Sequence, residues 1–162
     1  MPRMFDYIGR ELRTELYTNM WECSIRALKG EGSSEEIAML PSILPEILPD
    51  GEVYEELYGF CIRVLGGGGN LQELAIVPEL LNHFGKSPAL EQAKINFVAR
   101  VLKEAKSPQE LSTMAVILPS IKDIEILRAE LCRFAIKEFN GENSIHNSSI
   151  LPVVLKHLFE EG

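Results

Sequence analysis

A 37-residue step recurs along this chain without insertion or deletion. Phe60-Cys61-Ile62-Arg63-Val64-Leu65 is followed one step later by Phe97-Val98-Ala99-Arg100-Val101-Leu102 and two steps later by Phe134-Ala135-Ile136-Lys137-Glu138-Phe139. One step earlier stands Cys23-Ser24-Ile25-Arg26-Ala27-Leu28. A second block keeps the same register at Glu36-Ile37, Glu73-Leu74 and Glu110-Leu111, with Asn147-Ser148 as a degraded fourth copy. Periods of roughly 20 to 50 residues mark repeat architectures, in which no unit buries its apolar face without a neighbour.

Each repeat divides into two helical segments, A and B. Segment A opens on a capping residue with Glu three positions later: Ser33 with Glu36, Asn70 with Glu73, Ser107 with Glu110. In this reciprocal pattern the cap side chain and the Glu satisfy amide groups that a helix start leaves unpaired. Ser144 with Asn147 is a weaker fourth instance. Apolar residues follow at helical spacing: Ile37, Leu40, Leu44 and Ile47, then Leu74, Val77, Leu81 and Phe84, then Leu111, Met114, Leu118 and Ile121. A last set runs from Ile150 or Leu151 through Leu155 to Leu158.

Punctuated turns lead to segment B at Pro49-Asp50-Gly51, Gly85-Lys86-Ser87-Pro88 and Lys122-Asp123. Its stripe runs Val53, Leu57, Phe60 and Val64, then Leu90, Ala93, Phe97 and Val101, then Leu127, Leu131 and Phe134. Each unit therefore reads as an antiparallel helix hairpin. Residues 3–29 read as one long helix with Phe5, Ile8, Leu12, Leu16, Met20 and Ile25 on its apolar side and Gly9 as a soft spot. The expected domain is single, with a long helix and half-repeat at 1–32, repeats at 33–69, 70–106 and 107–143, and a half-repeat at 144–162.

Prolines recur too. Pro41, Pro78 and Pro152 share one repeat position, and Pro45 and Pro119 share another one turn on. The apolar period continues past them, so they are expected to kink helix A rather than end it. Met39-Leu40-Pro41-Ser42-Ile43-Leu44 with Leu48-Pro49-Asp50-Gly51-Glu52-Val53 resembles the HEAT-repeat pattern, as do Ile76-Val77-Pro78-Glu79-Leu80-Leu81 and Leu127-Arg128. Tyr54 and Glu91 depart from it where a basic residue is usual, and Ser87 and Ile124 where Asp is usual. The resemblance covers roughly residues 15–160 and implies an all-α, right-handed α-solenoid of HEAT-like or armadillo-like hairpins. It also implies a scaffold whose B helices line a concave surface for a partner protein.

Equivalent positions on stacked hairpins lie about 10 Å apart, so rows of residues form the candidate sites. Arg26, Arg63, Arg100 and Lys137 make one row near the ends of the B helices. It reads either as a basic ladder for acidic groups of a partner, or as cations that complement helix ends and pair with a capping Glu, such as Arg63 with Glu73. Upstream lie Thr18, Asn19 and Glu22, then Glu55, Glu56 and Gly59, then Gln92 and Asn96, then Ala129, Glu130 and Arg133. These suit a ligand-facing surface or a merely solvated one. Tyr17 and Tyr54 are equivalent, as are Trp21 and Tyr58. Such residues favour interface hot spots, but they also suit core packing at the first hairpin. Gly66-Gly67-Gly68-Gly69 lacks the Lys-Ser/Thr of a phosphate loop and reads as a pliable joint.

Composition bounds function. A net charge of −8 repels phosphate backbones and anionic lipid, so neither nucleic acid nor membrane is an expected partner. No apolar run approaches the roughly 18 residues that span a bilayer, and the N-terminus lacks an apolar signal core. Cys23, Cys61 and Cys132 form an odd set without metal spacing, which suits reduced, buried thiols in the cytoplasm. The sequon at Asn147-Ser148-Ser149 then has no glycosylating context. His83, His146 and His157 share no ligand spacing, and no hydrolase or metalloprotease motif occurs. The expectation is a non-catalytic protein-binding scaffold without cofactor or metal. The unpaired B segment at the start and the unpaired A segment at the end suggest a second reading, head-to-tail homo-oligomers. An enzyme on a solenoid scaffold is the least supported.

Overall fold

The structure, a computed structural model, describes residues 9–48, 50–85, 87–105, 107–122, 124–143 and 150–159. Among these residues there are eight α-helices and no strand. They are α1 (Arg10–Leu28), α2 (Ser34–Ile47), α3 (Gly51–Arg63), α4 (Leu71–Leu80), α5 (Pro88–Lys103), α6 (Pro108–Ile117), α7 (Arg128–Asn140) and α8 (Leu151–Phe159). A π-helical turn, Val64–Gly68, follows α3, and short 3-10 turns close α4 and α6 and precede α7. The chain divides into two compact units, the first reaching Phe60 and the second beginning at Cys61.

In the first unit α1 packs on α2. The buried side chains are Ile25, Ala27 and Leu28 of α1, Ile37, Leu40, Leu44 and Ile47 of α2, and Val53, Leu57 and Phe60 of α3. Helix α2 starts at a complete capping box, in which Glu36 N donates to Ser33 Oγ at 3.2 Å and Ser33 N donates to Glu36 Oε1 at 3.0 Å. Asp50 caps α3, its Oδ1 accepting from Glu52 N at 2.9 Å and from Val53 N at 3.2 Å.

In the second unit α4 packs on α6, α5 on both α6 and α7, and α7 on α8. The A-type helices α4 and α6 meet, as do the B-type helices α5 and α7, while the α5–α6 and α7–α8 contacts join a B-type helix to the A-type helix that follows it. Asn70 and Glu73 form another complete capping box at the start of α4. Ser107 Oγ accepts from Glu110 N at 3.2 Å at the start of α6. Phe97 and Phe134 are buried, as their equivalent Phe60 is in the first unit. Burial of a side chain of this size stabilises the fold by about 1.5–3 kcal/mol.

Several expectations need correction. Gly9 adopts an extended conformation and caps α1, so the first described helix begins at Arg10 and is not continuous through Gly9. Leu12 and Leu16, expected on a buried stripe, are exposed. Phe5 and Ile8 lie outside the described residues, as does the Ser144–Asn147 cap. Pro41, Pro45 and Pro78 do stand inside helices, but Pro119 falls in a 3-10 turn and Pro152 in the first turn of α8. Cys132 is exposed, unlike Cys23 and Cys61, because it lies on the open side of α7.

Ser24 is fully buried with no partner for its hydroxyl among the described residues, at a position filled by Cys61, Val98 and Ala135 in later copies. An apolar residue is therefore compatible with this site. The thiols give a direct test of burial. Desolvation pushes the Cys61 thiol up to about 12, and burial with the nearby Glu36 carboxylate also raises that of Cys23. The thiolate is the reactive species, so native protein at pH 8 should react rapidly with a thiol-specific disulfide reagent at Cys132 alone. All three cysteines should react after denaturation, as quantified by absorbance and peptide mapping.

Candidate partner-binding surface

The basic row begins as helix-end chemistry. Each B helix leaves its last carbonyls unpaired, and a cation in the last turn complements them. Arg26 also reaches forward, its Nε donating to Glu36 Oε2 at 3.0 Å. Arg63 repeats the contact, with Nη2 donating to Glu73 Oε2 at 2.8 Å and Nη1 to the Gly68 carbonyl at 3.0 Å. Each Glu uses its other oxygen for the N-cap amide, Asn70 N donating to Glu73 Oε1 at 3.0 Å as Ser33 N does to Glu36. One carboxylate therefore joins the end of a B helix to the start of the next A helix.

The electrostatics follow from these contacts. Arg26 and the Ser33 amide hold the Glu36 carboxyl below its ordinary value. For Glu73, burial pushes the carboxyl up, but Arg63 and the Asn70 amide outweigh it and leave it low. Arg100 behaves differently. No ion pair is recorded for it among the described residues, and its guanidinium carbon sits 5.4 Å from the centre of the Phe97 ring, within cation–π range. Lys137 is exposed on α7. The row thus splits into two structural links, Arg26 and Arg63, and two cations that are not built into such a link.

Glycine completes the helix ends, and the sequence reading passed over this signal. Gly30, Gly67 and Gly141 occupy the same repeat position and all have positive φ, at 86°, 97° and 71°. Only glycine adopts that conformation without strain. At Gly67 a Cβ would also stand 3.2 Å from Arg100 Nη1. The Arg26 carbonyl accepts from Glu31 N at 2.9 Å, and the Lys137 carbonyl accepts from Glu142 N at 2.9 Å, the six-to-one bond of a Schellman turn. Of Gly66–Gly69, expected as a pliable joint, the first three belong to the π-helical turn Val64–Gly68, whose Gly68 carbonyl accepts from Arg63 Nη1, and Gly69 is extended.

The remaining candidates lie at the surface. Tyr17 and Tyr54 are exposed and Trp21 and Tyr58 half-buried, so none of the four belongs to the buried core. Glu55 is exposed on α3. Asn96 is exposed on α5, where its Oδ1 accepts from Gln92 Nε2 at 2.9 Å.

The second unit also holds a cleft of about 660 Å³ that sequence reasoning missed, lined in part by Pro78, Leu81, Phe84, Lys94, Val116 and Ser120. Lys94 Nζ is 3.3 Å from Ser120 Oγ and 3.3 Å from Glu91 Oε2. Leu81 and Phe84 open onto the cleft, whereas the equivalent Leu44 and Ile47, and Leu118 and Ile121, are buried. The apolar spacing is the same in all three copies, so only packing distinguishes them. The lining mixes apolar side chains with polar ones such as Glu79, Asn82, Gln109 and Thr113. Among the described residues no group of three His, Cys, Asp or Glu could hold a metal ion. No helix among them is long and apolar enough to cross a membrane. His146 lies outside the described residues.

No family model, no curated protein and no solved structure matches this chain.

Glu73 is the buried link of the row. Glu73→Gln removes the charge from its bonds to Arg63 and the Asn70 amide, and should cost about 1–3 kcal/mol at pH 7 in urea denaturation. Because the folded carboxyl is depressed from 4.5, its contribution is present above that value and is lost as pH falls through the lower folded value. The difference between variant and parent should therefore shrink in acid.

Proposed function

We propose that this chain is a non-catalytic α-solenoid of the HEAT-like or armadillo-like kind, which presents the outer positions of its B helices to a partner protein. One observation carries the reading. Thr18, Glu55, Gln92 and Ala129 are all exposed, and so are Glu22, Gly59, Asn96 and Arg133 one turn later. Two adjacent turns are thus open in every B segment, although their residue types differ from copy to copy. Core positions behave in the opposite way, with Phe60, Phe97 and Phe134 buried and chemically uniform.

Solenoids stack like helices on like, and the α4–α6 and α5–α7 contacts support that arrangement in the second unit. Arg100, Lys137, Tyr17, Tyr54, Glu55 and Asn96 are the contacts we assign to the partner, with Trp21 and Tyr58 beside them. Arg26 and Arg63 serve the fold, their guanidinium groups being tied to Glu36 and Glu73. The net charge of −8 disfavours nucleic acid and anionic membranes as ligands. Three free thiols, one of them exposed, suit the reducing cytoplasm.

Two measurements test this. Small-angle X-ray scattering of monomer should give a radius of gyration well above the about 15 Å of a compact globule of this length; a value near that figure overturns the solenoid. For the surface, affinity capture with mass spectrometry compares a Tyr54→Ala, Glu55→Lys, Asn96→Lys variant with a Glu35→Lys, Met39→Lys control on α2, at exposed positions that do not line the cleft. A true partner should be retained by the control and weakened at least about tenfold by the first variant. Equal capture by both excludes this surface.

A further inference from the structure

The arginine row shows what belongs beside each guanidinium. Arg26 and Arg63 each hold a carboxylate supplied ten residues later, by Glu36 and Glu73. Glu110 stands at the corresponding distance from Arg100, yet no bond joins those two, and the Arg100 guanidinium lies over the Phe97 ring. That guanidinium is a planar fork of N–H donors, and none of them is bound to a protein acceptor among the described residues. The side chain is nevertheless half-buried. A permanently charged fork, partly withdrawn from water and without an internal acceptor, is suited to a carboxylate from outside.

There is room for one. Beside Arg100, within the second unit, lies a cavity of about 450 Å³ lined in part by Gly67, Gly69, Leu71, Ser107 and Glu110. Gly67 keeps the space open, because a Cβ there would stand 3.2 Å from Arg100 Nη1. Ser107 Oγ accepts from Glu110 N, which leaves the hydroxyl hydrogen to donate. Leu71 is 57% exposed and gives the cavity an apolar wall. Glu110 works against a second carboxylate, so capture of an acid here depends on Arg100. The net charge of −8 also opposes an acidic ligand, but at physiological salt that repulsion is screened beyond about 8 Å, whereas the contact with Arg100 is made at hydrogen-bond distance.

From the row we infer that Arg100 anchors a site for an acidic side chain of the partner protein, an Asp or Glu flanked by an apolar residue that rests on Leu71. The partner's carboxylate takes the place beside Arg100 that Glu36 and Glu73 take beside Arg26 and Arg63. Such a contact rests on the partner-binding role proposed above and names the chemistry which that role uses at this position.

Random dodecapeptides displayed on phage and selected on the immobilised full chain supply the probe. Selected sequences are synthesised with free and with amidated C-termini, and fluorescence anisotropy reads their binding to parent and variants. Peptides anchored at this site should carry Asp or Glu, and Arg100→Gln should weaken them at least about tenfold. Changing the peptide's acid to its amide should weaken binding to the parent equally. It should have little further effect on the Arg100→Gln protein, since both changes remove one bond. Leu71→Glu sets a carboxylate in the cavity from an exposed position and should act like Arg100→Gln. It carries the test should thermal melting show that Arg100→Gln does not fold. The site is overturned if no selected peptide loses affinity on these substitutions, if the acid and amide forms lose equally on Arg100→Gln, or if only free C-termini bind. Peptides indifferent to Arg100 but weakened by the Tyr54→Ala, Glu55→Lys, Asn96→Lys variant overturn this site and leave the wider surface standing. Peptides that need Arg100 and ignore that variant uphold this site and remove those other contacts.

Discussion

The contact on which the helix ends depend is a shared carboxylate. Glu36 and Glu73 each accept from the backbone at the start of their own helix and from an arginine ten positions earlier. The two pairs differ in setting: solvent screens the Arg26–Glu36 pair, whereas the Glu73 carboxylate is largely closed to solvent. What they supply together is geometry. They fix where one helix stops, where the next begins, and which face of each turns inward.

With the ends held in place, apolar burial supplies the stability. The row Phe60, Phe97 and Phe134 is buried, and so are Leu40, Leu44, Ile47, Val77, Leu111, Met114 and Leu118 of the A-type segments. Glycine at positions 30, 67 and 141 lets the backbone reverse between segments without strain. Glu104 occupies the same position in the remaining copy and keeps φ at −159°, so that reversal is made with different backbone geometry. Arg26 and Arg63 are absorbed by the fold, while Tyr54, Glu55 and Asn96 stay exposed.

Much of this was legible before any coordinates. Helix starts at Ser33, Asn70 and Ser107 follow from capping chemistry that is local in sequence, and all three caps form. The pairing of Arg63 with Glu73 was legible because a short turn brings positions ten apart to adjoining helix ends. Exposure of Leu12, Leu16 and Cys132 was not, since an apolar side chain on an amphipathic helix looks the same whether or not a neighbour covers it. The cleft beside Phe84 was invisible for the same reason.

The amino-acid order by itself determined the all-helical class, the 37-residue period, the helix caps and most of the buried stripes. These depend on contacts between residues a few positions apart, and a linear pattern records them directly. Tertiary structure alone decided which members of a row are consumed by the fold, how like helices pack, and which apolar faces are left open. Those outcomes depend on the presence or absence of a neighbouring helix in space, a fact that no single repeat contains.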